Sequence, residues 1–284
     1  MSLLRLQSEP SSCSPRTAVH QLMPVFRIAT FNVLCGYSFG PCAWSERQQL
    51  IRRSIEAARP DVLGLQEISS SRLADAADLV APLTLVQGPS TGPARWSRGA
   101  VGSERDRGGE HLPIVYRADR FRLHDSGGFW ISATSDRPRP MQPLSRAPFL
   151  VHWARLTSRD LSGSLLVMNS HFWHTPWHHA PTAQVVTAQL GALHAASPGR
   201  SDTNGSMQSV CSGAGLVDVA RFAAVHPGPP VTYHWGRDTT RFGMTLDYVL
   251  ARTPLCPEAI DVHEGGLNPF DHQLLVLEVD QDKG

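Results

Sequence analysis

Lysine is nearly missing from this chain. Lys283 is the single one, and the other basic residues are all arginine. A charge excess of either sign is missing too: 26 basic residues face 25 acidic ones, for a formal charge of +1. Nothing global in that balance draws the protein to nucleic acid. Cysteine is sparse, with Cys13, Cys35, Cys42, Cys211 and Cys256 odd in number and without metal-type spacing. They read as free thiols of a reducing compartment, which places the protein in the cytoplasm. No apolar run approaches a membrane-spanning helix, so no membrane role is expected. Met1 to Pro24 lacks the continuous apolar stretch of a signal peptide. No internal repeat is visible.

What is present suits a globular protein. With 284 residues, 41% hydrophobic and 18% charged, the chain can form one large α/β or sandwich domain, or two small ones. Ser8, Pro10, Ser11, Ser12, Ser14 and Pro15 mark residues 1–24 as a flexible tail, and a single domain is expected over residues 25–281.

The centre of the pattern is Asp61-Val62-Leu63-Gly64-Leu65-Gln66-Glu67. A short apolar run bounded by polar residues reads as a buried strand, with Glu67 at its carboxyl end. Before it, Val25 to Val33 alternates as a strand, and Ser45 caps a helix carrying Leu50, Ile51, Ile55 and Ala58 on one side. Pro60 stops that helix. A shorter helix over Ser71 to Leu79 and a strand over Leu83 to Val86 follow. From Gly88 to Glu110 the composition turns to Gly, Pro, Ser and Arg, as in a long loop. Strands are expected at Ile114–Tyr116, Phe121–Leu123, Phe129–Ser132, Leu150–Leu156 and Leu165–Asn169, with Asp125-Ser126-Gly127-Gly128 as a turn. Thr182 to Ala196 has helical periodicity. Further strands are expected at Leu216–Asp218, Val231–Trp235, Leu246–Leu250 and from Leu274 onward. Many strands with few helices imply two packed sheets with helices outside.

A polar residue lies at the end of, or inside, an apolar strand five times: Asn32, Glu67, His171, Asp247 and the pair Asp271-His272. An aspartate inside Leu246-Asp247-Tyr248-Val249-Leu250 is costly unless it accepts hydrogen bonds from a cation or imidazole, and His272 is the candidate partner. Glu67 offers hard oxygen, which suits Mg²⁺ better than zinc or copper. A metal carboxylate with two histidines and supporting Asp and Asn fits metal-assisted attack on a phosphoester.

In chain order, Ala29-Thr30-Phe31-Asn32, Asp61–Glu67, Asn169-Ser170-His171, Leu246-Asp247-Tyr248-Val249 and Phe270-Asp271-His272 resemble the signature blocks of the endonuclease/exonuclease/phosphatase superfamily, the DNase I-like fold. The blocks Glu110-His111-Leu112-Pro113-Ile114-Val115-Tyr116-Arg117 and Ser126–Ser132 are similar to those of a bacterial branch. The resemblance implies a four-layer α/β sandwich, two packed and mostly antiparallel sheets with outer helices. It makes Glu67 a Mg²⁺ ligand (Mn²⁺ being the substitute), with Asn32 holding metal or phosphate and Asp271 supporting the metal region. It has His171 bind phosphoryl oxygens, and Asp247 orient His272 for proton transfer or charge stabilisation. Glu110, Tyr116, Trp173 and Trp177 are the further expected substrate contacts.

One block departs from the family. Where Gly-Asp-Phe-Asn follows an apolar core strand, this chain has Ser201-Asp202-Thr203-Asn204 after Ala195-Ala196-Ser197-Pro198-Gly199-Arg200. Asp202 and Asn204 keep the carboxylate and amide that in the family position the attacking water, but Pro and Gly argue against a central strand before them. The loop after His171 is rich in Trp173, His174, Trp177, His178 and His179. Without an acidic or cysteine partner it is not read as a zinc site but as the wall of an apolar or aromatic pocket.

Three functions fit these residues. The leading one is a Mg²⁺-dependent phosphoesterase for a small phosphodiester or phosphomonoester. The second is a superfamily member recruited into specialised metabolism, using His171 and His272 for acid–base chemistry in an apolar pocket with or without metal. The third is a non-catalytic binding protein on the same scaffold.

Overall fold

The structure, a computed structural model, describes residues 2–6, 26–33, 44–91, 109–131, 149–159, 164–171, 216–218, 233–234, 243–244, 249–252, 257–263 and 272–279. Its strands are β1 (Ser2–Leu6), β2 (Phe26–Asn32), β3 (Val62–Gln66), β4 (Ile68–Ser69), β5 (Thr84–Val86), β6 (Glu110–His111), β7 (Ile114–Tyr116), β8 (Phe121–Ile131), β9 (Phe149–Ser158), β10 (Ser164–Ser170), β11 (Leu216–Asp218), β12 (Tyr233–His234), β13 (Gly243–Met244), β14 (Val249–Arg252), β15 (Pro257–His263) and β16 (Leu274–Val279). Among the described residues two α-helices, α1 (Trp44–Ala58) and α2 (Leu73–Val80), lie between β2 and β5.

Side-chain alternation assigns the layers. Along β2 and β3, Phe26, Ile28 and Val62 point to one face, and Ala29, Phe31, Leu63 and Leu65 to the other. The first face meets Ala154, Leu156, Leu165 and Val167 of a second sheet. The other packs on Ile51, Ile55 and Ala58 of α1 and on Ala76, Leu79 and Val80 of α2. Both faces of β3 are therefore buried, which is why its sequence is an unbroken apolar run.

One sheet has the order β15-β16-β2-β3-β7-β5, the other β11-β14-β1-β10-β9-β8. Pairings are antiparallel except β2–β3 and β1–β14. The β2–β3 crossover carries α1, as a parallel connection requires. Pro60 ends α1 as expected: the helix stops at Ala58, and Arg59 turns to φ +46°. Asp61, 3% exposed, anchors the start of β3 by accepting from the Arg27 backbone N–H (2.7 Å), Arg117 (3.2 Å) and Arg120 (2.8 Å).

Two expectations change. Asp125-Ser126-Gly127-Gly128 is not a turn; it lies within the continuous strand β8, which pairs with β9 as far as Ile131, with one register shift between Leu123 and Asp125. The glycines serve close approach instead. A Cβ on Gly127 would meet the Trp153 ring at 2.9 Å, and one on Gly128 would meet Pro89 at 2.5 Å. Ser2–Leu6, expected in a flexible tail, forms β1 between β10 and β14. β10 pairs with all of Ser2–Leu6 and β14 with Ser2, Leu3 and Leu4, partners that local sequence does not reveal. The expected helix over 182–196 lies outside the described residues.

Candidate functional site

The two sheets place five strand termini at one end. β2 ends with Asn32, β3 runs into Glu67, and β10 runs into His171. β16 is antiparallel to β2 with Leu275 opposite Thr30, so its start, just after His272, lies beside the Asn32 end. Ser2 of β1 pairs with both Asn169 and Val249, which puts the start of β14 level with the end of β10.

Glu67 leaves β3 with φ +61°, a left-handed conformation that costs a non-glycine residue about 1–2 kcal/mol. The turn lifts its carboxylate out of the strand alternation. Asn32 Nδ2 donates to Glu67 Oε1 at 2.8 Å, and both residues are buried. His171 Nε2 stands 3.6 Å from the same oxygen, and Nδ1 stands 3.6 Å from Glu110 Oε2. Glu110 is brought there by a two-residue ladder, Ser69 opposite Glu110 and Ile68 opposite His111. Thr91 Oγ1 accepts from the Glu110 N–H at 2.7 Å and steadies that ladder.

Burial by itself would lower the His171 pKa. The contact with Glu110, with the charges of Glu110 and Glu67, outweighs it and raises the value from 6.5 to about 9. A third of the side chain (33%) stays exposed. His171 is thus an imidazolium at neutral pH, flanked by two carboxylates.

Behind this cluster the layer between the sheets changes from apolar to amide. Gln66 Nε2 donates to Asn169 Oδ1 (2.7 Å) and Thr30 Oγ1 (3.0 Å), and Asn169 Nδ2 donates to the carbonyls of Leu65 (2.7 Å) and Pro113 (3.0 Å). Beside Asn169 in the register is His152, fully buried. Its Nδ1 donates to the Leu112 carbonyl at 2.8 Å, and burial lowers its pKa to about 4.

A sequence model of the Endonuclease/Exonuclease/phosphatase family matches residues 29–269. The chain belongs to that family. The family's fold is also seen in solved structures. A family protein from Bacteroides thetaiotaomicron superposes with TM-score 0.71 at 18% identity, covering 90% of this chain and 95% of that one. A mannosyl-6-phosphatase of the same organism gives 0.70 at 17%, covering 89% and 99%. The human Nocturnin catalytic domain gives 0.63 at 20%, covering 92% and 95%. No curated protein sequence matches the chain significantly.

Within the family's fold the structure brings Asn32, Glu67, Glu110 and His171 together and sets His272 at the same end. It does not bring Tyr116 there. Tyr116 lies opposite Val62, at the far end of β3, 8% exposed within the apolar core, because β7 is antiparallel to β3. The expected substrate contact is a core residue. Asp202, Asn204, Trp173, Trp177, Asp247 and Asp271 lie outside the described residues. Gln66 and Asn169 were not among the expected site residues. Their signal was parity, since each falls on the face its apolar neighbours turn toward the other sheet.

Among the described residues no group of three or more His, Cys, Asp or Glu is arranged as a metal cage. Mg²⁺ does not need one, since it binds through one or two carboxylates and keeps waters and phosphate oxygens for the rest. A Glu67 carboxylate steadied by Asn32 fits that habit, and its oxygens are hard donors.

Proposed function

We propose that the chain is a divalent-metal-dependent phosphoesterase acting on a small phosphoester. The observation that carries this is the Asn32–Glu67–His171–Glu110 cluster, held on a left-handed residue at the end of a core strand. Two carboxylates against one imidazolium leave the described cluster with a net negative charge. A phosphate anion is attracted to such a cluster when a cation is present. Glu67, with Asn32 beside it, would hold Mg²⁺ or Mn²⁺, which when bound polarises a phosphoryl oxygen.

The chain's own residues have these roles. Asn32 donates to Oε1 of Glu67 and keeps the carboxylate aimed. Glu110 holds the proton on His171. The His171 imidazolium, a third exposed, donates to a phosphoryl oxygen as charge builds there. His272 is assigned proton transfer or charge stabilisation from the opposite strand terminus, with Asp247 orienting it. Asp202 and Asn204 are assigned the attacking water, and Asp271 the support of the metal. Trp173 and Trp177 are assigned contact with the substrate. A nearly neutral chain favours a small substrate over nucleic acid.

The test is release of phosphate or alcohol from aryl phosphomonoesters, aryl phosphodiesters and hexose 6-phosphates, the last suggested by the mannosyl-6-phosphatase likeness. Turnover that needs Mg²⁺ or Mn²⁺, stops with EDTA and fails in Glu67→Gln supports the proposal. Folded protein that turns over none of these with any divalent cation, and binds none by calorimetry, ends it.

A further inference from the structure

We propose that Gln66 and Asn169 are positioning residues. Their amide bridge sets the spacing between Glu67 and His171 across the two sheets. The proposal rests on the functional reading of that pair of residues and adds the device that holds it.

β3 and β10 belong to different sheets and share no backbone ladder. Between them Val62, Leu165 and Val167 supply apolar contact, which is strong but non-directional and does not prevent a small slide. Directional bonds begin at the site end. Asn169 is clamped to the carbonyls of Leu65 and Pro113, so its Nδ2 must face them and its Oδ1 must accept. Gln66 Nε2 fills that acceptor at 2.7 Å. Gln66 is the residue before Glu67, and Asn169 is two residues before His171. Little chain is left between anchor and reacting group, so a shift of one sheet on the other becomes a shift of His171 from Glu67.

A purely structural role fits less well. Both amides are buried, at 1% and 0% exposure, and Gln66 Oε1 has no hydrogen-bond partner among the described residues. A buried amide oxygen left unsatisfied is costly, and an apolar pair would pack there without that cost. The amides contribute direction that an apolar pair lacks.

The experiment compares Asn169→Ala and Gln66→Met with Val62→Ala, which loosens the same strand at its far end. Two quantities are read per folded molecule: kcat and KM, and the downfield imidazole N–H resonances of His171 in metal-free protein. Expected for both amide variants is a kcat loss of about 100-fold, as for a misplacement of about 1 Å, with KM changed little. Broadening or loss of the His171 resonances should accompany it, while Val62→Ala keeps kcat and the resonances at similar destabilisation. The resonances are informative even if no phosphoester is turned over, so failure of the functional reading is separable. Unchanged kcat and resonances in the amide variants would overturn the proposal, as would an equal loss in Val62→Ala. If Asn169→Ala does not fold, Gln66→Met decides alone.

Discussion

Asn32 reaches across from β2 to donate to the Glu67 carboxylate at 2.8 Å, and Glu67 receives that bond from a backbone at φ +61°. The two strands are parallel neighbours in which Asn32 pairs with Gln66. An ordinary extended residue at position 67 would continue the strand's alternation. The left-handed turn instead brings the carboxylate back over Asn32 and toward His171.

That conformation separates stability from function at one position. Glu67→Ala and Glu67→Gly both remove the carboxylate, and both are expected to lower activity by about 100-fold or more. They differ in strain, since glycine accepts φ +61° freely and alanine does not. Glu67→Gly should be the more stable by about 1 kcal/mol, after its larger unfolded-state entropy is deducted. Urea unfolding of the two variants checks it, and an Ala variant at least as stable as Gly would refute the strain.

Acid should destabilise the fold through His152. Its folded pKa of about 4 lies below the ordinary imidazole value of 6.5, so folding favours the neutral ring. The contribution is complete above pH 6.5 and is lost as the pH falls from there toward 4, a change of about 3 kcal/mol. The urea midpoint should therefore fall between pH 7.5 and 4.5, and fall less steeply in His152→Gln. His171 acts in the opposite sense. Its raised value, about 9, gives a contribution present below pH 6.5 and lost as the pH rises through 9 in metal-free protein.

Gly88 protects the same ring. It has φ +69°, and a Cβ there would meet three His152 ring atoms at 2.5–2.7 Å. Gly88→Ala combines left-handed strain with overpacking and should cost about 2–4 kcal/mol, read from chemical denaturation. A loss under 1 kcal/mol, below the low end of overpacking alone, would mean the ring moves aside freely.

Removing residues 2–6 should disturb more than a tail. β1 stands between β10 and β14 and supplies the ladder on both sides. Without it the edges of β10 and β14 open, which favours self-association. The truncated chain should melt at lower temperature and elute larger on size exclusion. An unchanged melt and elution would show that the strand contributes nothing to the sheet.

Part of the candidate site was legible because chemistry and local pattern coincide there. Glu67 and His171 each end an apolar run, and a polar residue at such a place requires a partner wherever it sits. Glu110 joins them through a two-residue ladder to Ser69, 41 positions away in sequence, and nothing near Glu110 announces that pairing. Tyr116 shows the reverse error. Its motif suggested the site, yet the antiparallel direction of β7 carries it to the far end of β3.

By itself the sequence determined the layers: the apolar run of β3, the one-sided helix α1 stopped at Pro60, and the polar strand ends that mark the site. These depend on periodicity and on residues that cannot be buried unpaired, both of which are local. Only the tertiary structure decided that Asp125–Gly128 stays extended, that Ser2–Leu6 enters a sheet, and that Gln66 meets Asn169. Each of those depends on which backbone or side-chain partner is offered from far along the chain. That choice also sets how far Glu67 lies from His171.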